Sequence, residues 1–248
     1  MSQILSRQNG AVLTLSLNRP EKMNAISTAM YLELLVGLRS AASDPSVRVV
    51  VLTAEGANFT AGNDINDFVT APDLDLQTPG FQFIFEIHNF PKPLIAAVQG
   101  IAVGIGTTAL LHCDVVFAHP TASFSLPFVT LGLVPEAGSS YLLPNLVGYQ
   151  RAAEILFTGR SFSADEAKEM GLVTSISEDA QKAAEIFAAK IAEQPPIAIL
   201  NTKALLKSRA HDAVTAVIEA EGQLFSRALK SDEAREAFMK FLSRKGRS

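Results

Sequence analysis

The chain has 248 residues, 48% hydrophobic and 19% charged, which supplies apolar side chains for a large core and argues against disorder. Twenty-one Lys and Arg against 25 Asp and Glu leave a net charge of −4, without the basic surplus of a general nucleic-acid binder. The single cysteine, Cys113, excludes an internal disulfide and a Cys-rich zinc site and suits an intracellular, cytoplasmic protein; the four histidines show no metal-ligand spacing.

In chain order, residues 4–7 and 11–17 flank Asn9-Gly10 and predict a hairpin, because that pair accepts the positive φ of a tight turn. Ser27 is the expected N-cap of a helix carrying Met30, Leu34, Leu35 and Leu38 at helical spacing, closed by Asp44-Pro45. A buried strand is expected over 47–52. After it, residues 79–89 place Phe81, Ile84, Phe85 and His88 on one helical face. The stretch 94–111 imitates a membrane span, but Gly100, Gly104 and Gly106 divide it into a strand, a glycine loop and a short helix. The N-terminus shows no secretory pattern, and Arg244-Lys-Gly-Arg-Ser248 does not match a peroxisomal ending, so neither export nor a membrane is expected.

Strand and helix alternate to about residue 180, the pattern of parallel strands with crossover helices. Ser163-Ala-Asp-Glu166 reads as a capping box opening a helix that stops at Gly171. Beyond Pro195-Pro196 the chain reads as three helices, over 197–207, 212–230 and 232–242. The middle one carries Val214, Val217, Ile218, Leu224, Phe225 and Ala228 on one stripe, and the last one leaves Phe238 and Phe241 exposed. Such faces are expected to pack on the main domain or on another subunit.

Three segments are candidates for chemistry. Gly104-Ile-Gly106-Thr-Thr-Ala109 formally fits a dinucleotide fingerprint, but Asp114 precedes the next strand, where a ribose-binding acid should end it. Glycines for close packing account for part of the pattern; free backbone amides at a helix start account for more, because they favour an anion or a developing oxyanion. Phe59-Thr-Ala-Gly62-Asn63-Asp64-Ile65 is a second strand-to-helix junction, where Asp64 could simply cap the helix. Read together, the two junctions could aim two N–H groups at one carbonyl oxygen. Glu136, among Leu133, Val134, Pro135 and Ala137, is either a desolvated carboxyl suited to proton transfer or a solvated helix-start glutamate. Ser139 and Ser140 lack a nucleophile elbow.

Taken together and in order, these segments resemble the crotonase superfamily, also called the enoyl-CoA hydratase/isomerase family. The resemblance runs through Asn18-Arg-Pro-Glu-Lys-Met-Asn-Ala25, Ala61 to Ile65, Pro91-Lys-Pro-Leu-Ile-Ala-Ala-Val-Gln-Gly100 and Gly104-Ile-Gly106. It continues through Cys113-Asp114, Gly159-Arg-Ser-Phe-Ser-Ala164 and Glu169-Met-Gly-Leu-Val173, and on to residues 231–238. It implies an α/β spiral of β-β-α units over residues 1–195, followed by a helical region over 196–248 that builds trimers or hexamers. It also implies acyl-CoA thioester substrates, with CoA part of the substrate and no metal or redox cofactor. Carried onto this chain, the oxyanion donors are the N–H groups of Asn63 and Ile105. Ala61, Gly62, Asp64 and Ile65, with Lys22, Met23 and Ala25, would lie along CoA, and Lys240 would reach its phosphates. Gly104, Thr108 and Phe128 would line the substrate pocket.

Family hydratases place two glutamates where this chain resembles them with Thr108 and Phe128, so both hydratase acids are missing. Glu136 stands where the peroxisomal-type Δ3,Δ2-enoyl-CoA isomerases, which the chain resembles further, carry their glutamate. The expected activity is therefore isomerisation, with Glu136 moving a proton from C2 to C4. Hydration, another crotonase reaction on acyl-CoA, and a non-catalytic acyl-CoA-binding module are the alternatives.

Overall fold

Short runs of Val, Ile, Leu and Ala alternate with amphipathic segments, and the computed structural model, which describes residues 2–70 and 75–245, winds them into a spiral. In chain order the elements are β1 (Ile4–Asn9), β2 (Val12–Leu17), α1 (Thr28–Ser43), β3 (Val49–Ala54), α2 (Ile65–Thr70) and α3 (Pro79–Asn89). Next come β4 (Leu94–Val98), β5 (Ile101–Val103), α4 (Ile105–Thr108), β6 (Val115–Ala118), β7 (Ser123–Ser125), α5 (Ser139–Val147) and α6 (Tyr149–Thr158). The chain ends with β8 (Ser161–Ser163), α7 (Ala164–Glu169), β9 (Ser175–Ile176), α8 (Ala180–Ala192), α9 (Pro196–Ser208), α10 (His211–Leu229) and α11 (Asp232–Lys245).

The strands form a six-stranded sheet ordered β1-β2-β3-β4-β6-β9 and a three-stranded sheet ordered β5-β7-β8. The turn through β4 and β5 and the turn through β6 and β7 each give one strand to each sheet. This is the β-β-α spiral expected from the resemblance. Only the β1–β2 hairpin is antiparallel in the large sheet; its other pairs are parallel. Parallel strands covered on both faces read as continuous apolar runs, and β3 and β4 do so. Val50, Leu52, Leu94 and Ala96 face the main core, whereas Val49, Val51, Ile95 and Ala97 pack under Ala180, Ala184 and Ala188 of α8.

Several expected boundaries are met closely. Ser27 caps α1 by accepting the Met30 N–H, and α3 begins and ends where the sequence placed it. Ser163 caps α7 by accepting the Glu166 N–H, but the capping box is only half formed. Glu166 turns instead to Arg160, which it shares with Glu154 in a two-carboxylate clamp. The stripe on α10 is also narrower than expected: Val214, Ile218 and Phe225 are buried, while Leu224 stays exposed.

Phe238 is not exposed; it is 6% accessible and belongs to the main core, because α11 folds back on the short turn Val129–Leu131, with Ala234 against Gly132. The Phe241 side chain lies outside the described residues. Farther back, α9 is anchored by a buried lysine. Lys203 donates to the Lys92 carbonyl at 2.7 Å and to Asp114 at 2.7 Å, which neutralises a charge that would be costly alone. Among the described residues, no helix is long and apolar enough to cross a membrane, and no group of three or more His, Cys, Asp or Glu is placed to hold a metal.

Candidate active site

The first junction is built from a buried asparagine. Asn24 sits at φ +53 and accepts the Arg19 N–H, while its amide donates to the carbonyls of Glu55 and Asn58. Its own carbonyl accepts the Thr60 hydroxyl at 2.6 Å, and that hydroxyl in turn accepts the Gly62 N–H at 3.0 Å. Around this knot, Lys22 and Met23 are exposed and Ala25 is half-buried, so they form one surface beside Ala61. The Ala61 N–H donates to the Met23 carbonyl. Asp64 caps the start of α2 by accepting the Asn66 N–H and pairs with Arg19 at 2.6 Å. Burial alone would raise its carboxyl, but Arg19 and the Asn66 N–H hold it below its ordinary range.

The second junction lies directly against the first. Thr60 bridges Ala102 in parallel, with the Thr60 N–H on the Ile101 carbonyl and the Val103 N–H on the Thr60 carbonyl. A Cβ at Gly62 would come within 2.8 Å of the Val103 carbonyl oxygen, and one at Gly106 within 2.3 Å of the Thr60 methyl. Glycine at these positions is what allows the two turns to touch. Gly104 takes φ +55 as the chain leaves β5, and α4 starts at Ile105. The N–H groups of Asn63 and Ile105 donate to no acceptor among the described residues. Ile105 is buried and Asn63 half-buried; backbone donors withdrawn from water are almost always paired, so two free ones on adjoining turns mark a place for an outside oxygen.

Glu136 lies in irregular chain just before α5. It is 4% accessible, which removes the solvated helix-start reading. Its Oε1 accepts the Thr108 hydroxyl at 2.5 Å. Burial pushes its carboxyl up to about 8; the Thr108 bond works against that rise, and the nearby Glu221 carboxyl adds to it. The two residues after Glu136 are both left-handed, Ala137 at φ +60 and Gly138 at φ +70. The Ala137 carbonyl is held by buried His112 at 2.7 Å. Burial drives that imidazole down to about 3, so it is neutral at ordinary pH.

Glu136, Asn63 and Asp64 meet at one cavity of about 800 Å³, counted to its open mouth. Ile26, Pro79, Gly80, Ile84, Phe81 and Phe225 form its apolar wall, and Tyr31, Thr28, Asp67 and Thr78 add polar groups. Phe81 and Phe225 stand edge to face, with ring centroids 6.2 Å apart. Of the other expected site residues, Thr108 reaches the site through Glu136, and Gly62, Gly104 and Ile105 through the paired junctions. Phe128 is buried in the core but does not line the cavity. Lys22, Met23, Ala25, Ala61 and Ile65 stand outside it, and Lys240 is an exposed residue of α11.

Several contributors carry no mark of a site in the sequence. Tyr31 is buried and donates to the Asn63 side-chain oxygen at 2.5 Å. Burial, with Glu136 and Asp67 nearby, raises its hydroxyl well above the ordinary range, so it stays a neutral donor. Phe81 was expected on a buried face and Phe225 on a stripe, but neither at a site. Glu221 accepts the N–H groups of Gly138 at 2.6 Å and Ser140 at 2.8 Å.

Two unpaired amides beside a buried, nearly neutral carboxyl define a site that can polarise a carbonyl oxygen and move a proton next to it. Comparison with known proteins gives the family. The enoyl-CoA hydratase/isomerase family model matches residues 7–247, and the chain belongs to that family, the crotonase superfamily. It is 34% identical to human enoyl-CoA delta isomerase 2 over 98% of this chain and 64% of that protein, so it spans less than two thirds of that relative's length. It is 35% identical to 2,3-dehydroadipyl-CoA hydratase of Escherichia coli, over 99% of this chain and 97% of that one. Among solved structures, Pseudomonas aeruginosa OdaA superposes with a TM-score of 0.95 at 42% identity, covering 97% of this chain and 99% of that one. An enoyl-CoA hydratase/isomerase from Pseudoalteromonas atlantica gives 0.94 at 36% identity, over 98% and 97% of the two chains.

Proposed function

We propose that the chain isomerises 3-enoyl-CoA to 2-enoyl-CoA thioesters. The observation that carries this reading is the contrast among the cavity's three carboxyls. Asp64 is held ionised by Arg19, and Asp67 is engaged at the start of α1, accepting the Thr28 N–H and hydroxyl. Glu136 alone is buried and held near neutrality, as a proton carrier requires.

In the proposed step the thioester oxygen accepts the N–H groups of Asn63 and Ile105. The Glu136 carboxylate takes the C2 proton, the electron pair spreads into a dienolate, and the protonated Glu136 returns that proton to C4. The double bond moves from C3 to C2 and Glu136 ends ionised, so the cycle balances without a metal or redox cofactor. Removing one oxyanion donor typically costs about 10²–10³ in rate. Hydration would need a second acid–base group for water; Thr108 and Phe128 stand at the corresponding positions and cannot act as one.

CoA would lie over the surface of Lys22, Met23, Ala25, Ala61, Gly62, Asp64 and Ile65, with Lys240 toward its phosphates. The protein would act in the cytoplasm as a trimer or hexamer. Assembly is supported by α9, where Ile197, Leu205 and Leu206 are 72%, 73% and 78% accessible.

The test is turnover of 3-hexenoyl-CoA and crotonyl-CoA side by side, with the Glu136→Gln variant in parallel. We expect isomerisation without hydration, and a loss of about 10²–10⁴ in the variant. Water addition as the main activity would overturn the reading, as would binding without turnover or normal isomerisation by the variant.

A further inference from the structure

Behind the catalytic turn stands a second buried carboxyl that no step of the proposed reaction uses. Glu221 lies on α10, is 6% accessible and does not line the cavity. Both of its oxygens are occupied: Oε2 accepts the Gly138 N–H at 2.6 Å, and Oε1 the Ser140 N–H at 2.8 Å. Those donors flank Ser139 at the start of α5, where backbone N–H groups have no partner within the helix. They also follow Ala137 and Gly138, whose successive left-handed conformations reverse the chain immediately after Glu136. A non-glycine residue at positive φ persists only where its surroundings hold it. Here His112 grips the Ala137 carbonyl from one side and Glu221 grips the next N–H groups from the other.

We propose that Glu221 is a positioning residue, a two-pronged clamp from the C-terminal helical region that fixes the Ala137–Ser140 turn and thereby aims the Glu136 carboxyl at the substrate carbons. The proposal rests on Glu136 being the proton carrier. The same carboxyl also influences Glu136 through space, because a like charge nearby opposes ionisation. The groups that face this pair are Thr108 from α4, Tyr31 from α1, neutral His112 through the Ala137 carbonyl, and, across the cavity from Glu136, Asp64 paired with Arg19 and Asp67 bonded to Thr28.

The test uses the full-length protein with Glu221→Gln and Glu221→Asp, beside Glu136→Gln as reference. Gln keeps the shape but turns an NH₂ group toward one of the two N–H donors and removes the charge; Asp keeps the charge but loses reach. We expect both variants to lower kcat roughly 10- to 100-fold with KM changed little, the scale of a misplacement of up to about 1 Å. In Glu221→Gln the limb of the pH–rate profile assigned to Glu136 moves to lower pH, whereas in Glu221→Asp it stays closer to wild type. A purely structural role would lower Tm in both and leave kcat per folded molecule and the limb unchanged, and that result overturns the clamp. Should Glu221→Gln fail to fold, the kcat-against-KM split in Glu221→Asp decides alone. Full activity in Glu136→Gln would instead overturn the isomerase reading, so the two failures are distinguishable.

Discussion

Replacing Thr108 by Val removes the one side-chain hydrogen bond made to Glu136 among the described residues and keeps the residue's size and branching. Thr108 is fully buried, so no water replaces the lost hydroxyl without rearrangement. The bond stabilises the carboxylate more than the acid, and it opposes the rise that burial imposes. A hydrogen bond to a charged group contributes about 1.5–3 kcal/mol. The protonated acid keeps part of that stabilisation, so we take about 1.4 kcal/mol, or about one pH unit. From a starting value of about 8, the ionised fraction at pH 7 then falls from about one in ten to about one in a hundred. The direction follows from the sign: a carboxyl raised further is ionised only at higher pH. The expected result is roughly tenfold slower isomerisation at pH 7, with rates that converge toward wild type as pH approaches 10. The assay is the pH–rate profile with 3-hexenoyl-CoA, paired with exchange of the C2 proton into deuterated water. A profile that stays in place, or a limb that moves to lower pH, would refute both the assignment of Glu136 as base and the role given to Thr108.

Other consequences can be checked separately. Gly62→Ala places a Cβ at φ +87 against the Val103 carbonyl; we expect a loss of about 2 kcal/mol or more, seen as a lower Tm, together with a drop in turnover as Asn63 shifts. The Glu136 carboxyl is raised on folding, so folding stability should fall as pH rises from about 4.5 to about 8. Glu136→Gln should therefore gain Tm over wild type at pH 8 and show little gain at pH 5, by differential scanning calorimetry. Leu206→Glu on α9 should weaken the proposed assembly, and light scattering that finds wild type monomeric at micromolar concentration would contradict it.

What the sequence made legible was local. The Ser27 cap and the glycines around Ile105 are each dictated by conformational cost within a few residues and stand where expected. The hairpin also forms, but its turn is Gly10-Ala11, with Gly10 at φ +57 and Asn9 still paired with Val12 as the last residue of β1 rather than at positive φ. The ordered motifs located the two free amides and Glu136. Hidden from view were relations across the chain: Glu221 meets Gly138 from 83 positions away, and Arg19 meets Asp64 from 45. The stripe on α11 required that Phe238 be covered but did not say by what, and the cover is this chain's own turn at Val129–Leu131. Glu166 fitted a capping box by spacing, yet a bidentate arginine outcompeted the single N–H it would have accepted. Where two partners compete for one side chain, spacing alone cannot rank them.

The pairing of Thr60 with Ala102 has a wider implication. In the proposed reaction the two amide donors ride on backbone that is stitched together by main-chain bonds and glycine contacts, whereas Thr108 and Glu136 contribute as side chains. On that proposal, holding the thioester and choosing what happens to its carbons are borne by separable parts of the molecule. Side-chain exchange at those two sites would redirect protons, admit a water or silence the chemistry while leaving the carbonyl clamp in place. A scaffold divided in this way can change its reaction one residue at a time and still bind the thioester at every intermediate stage.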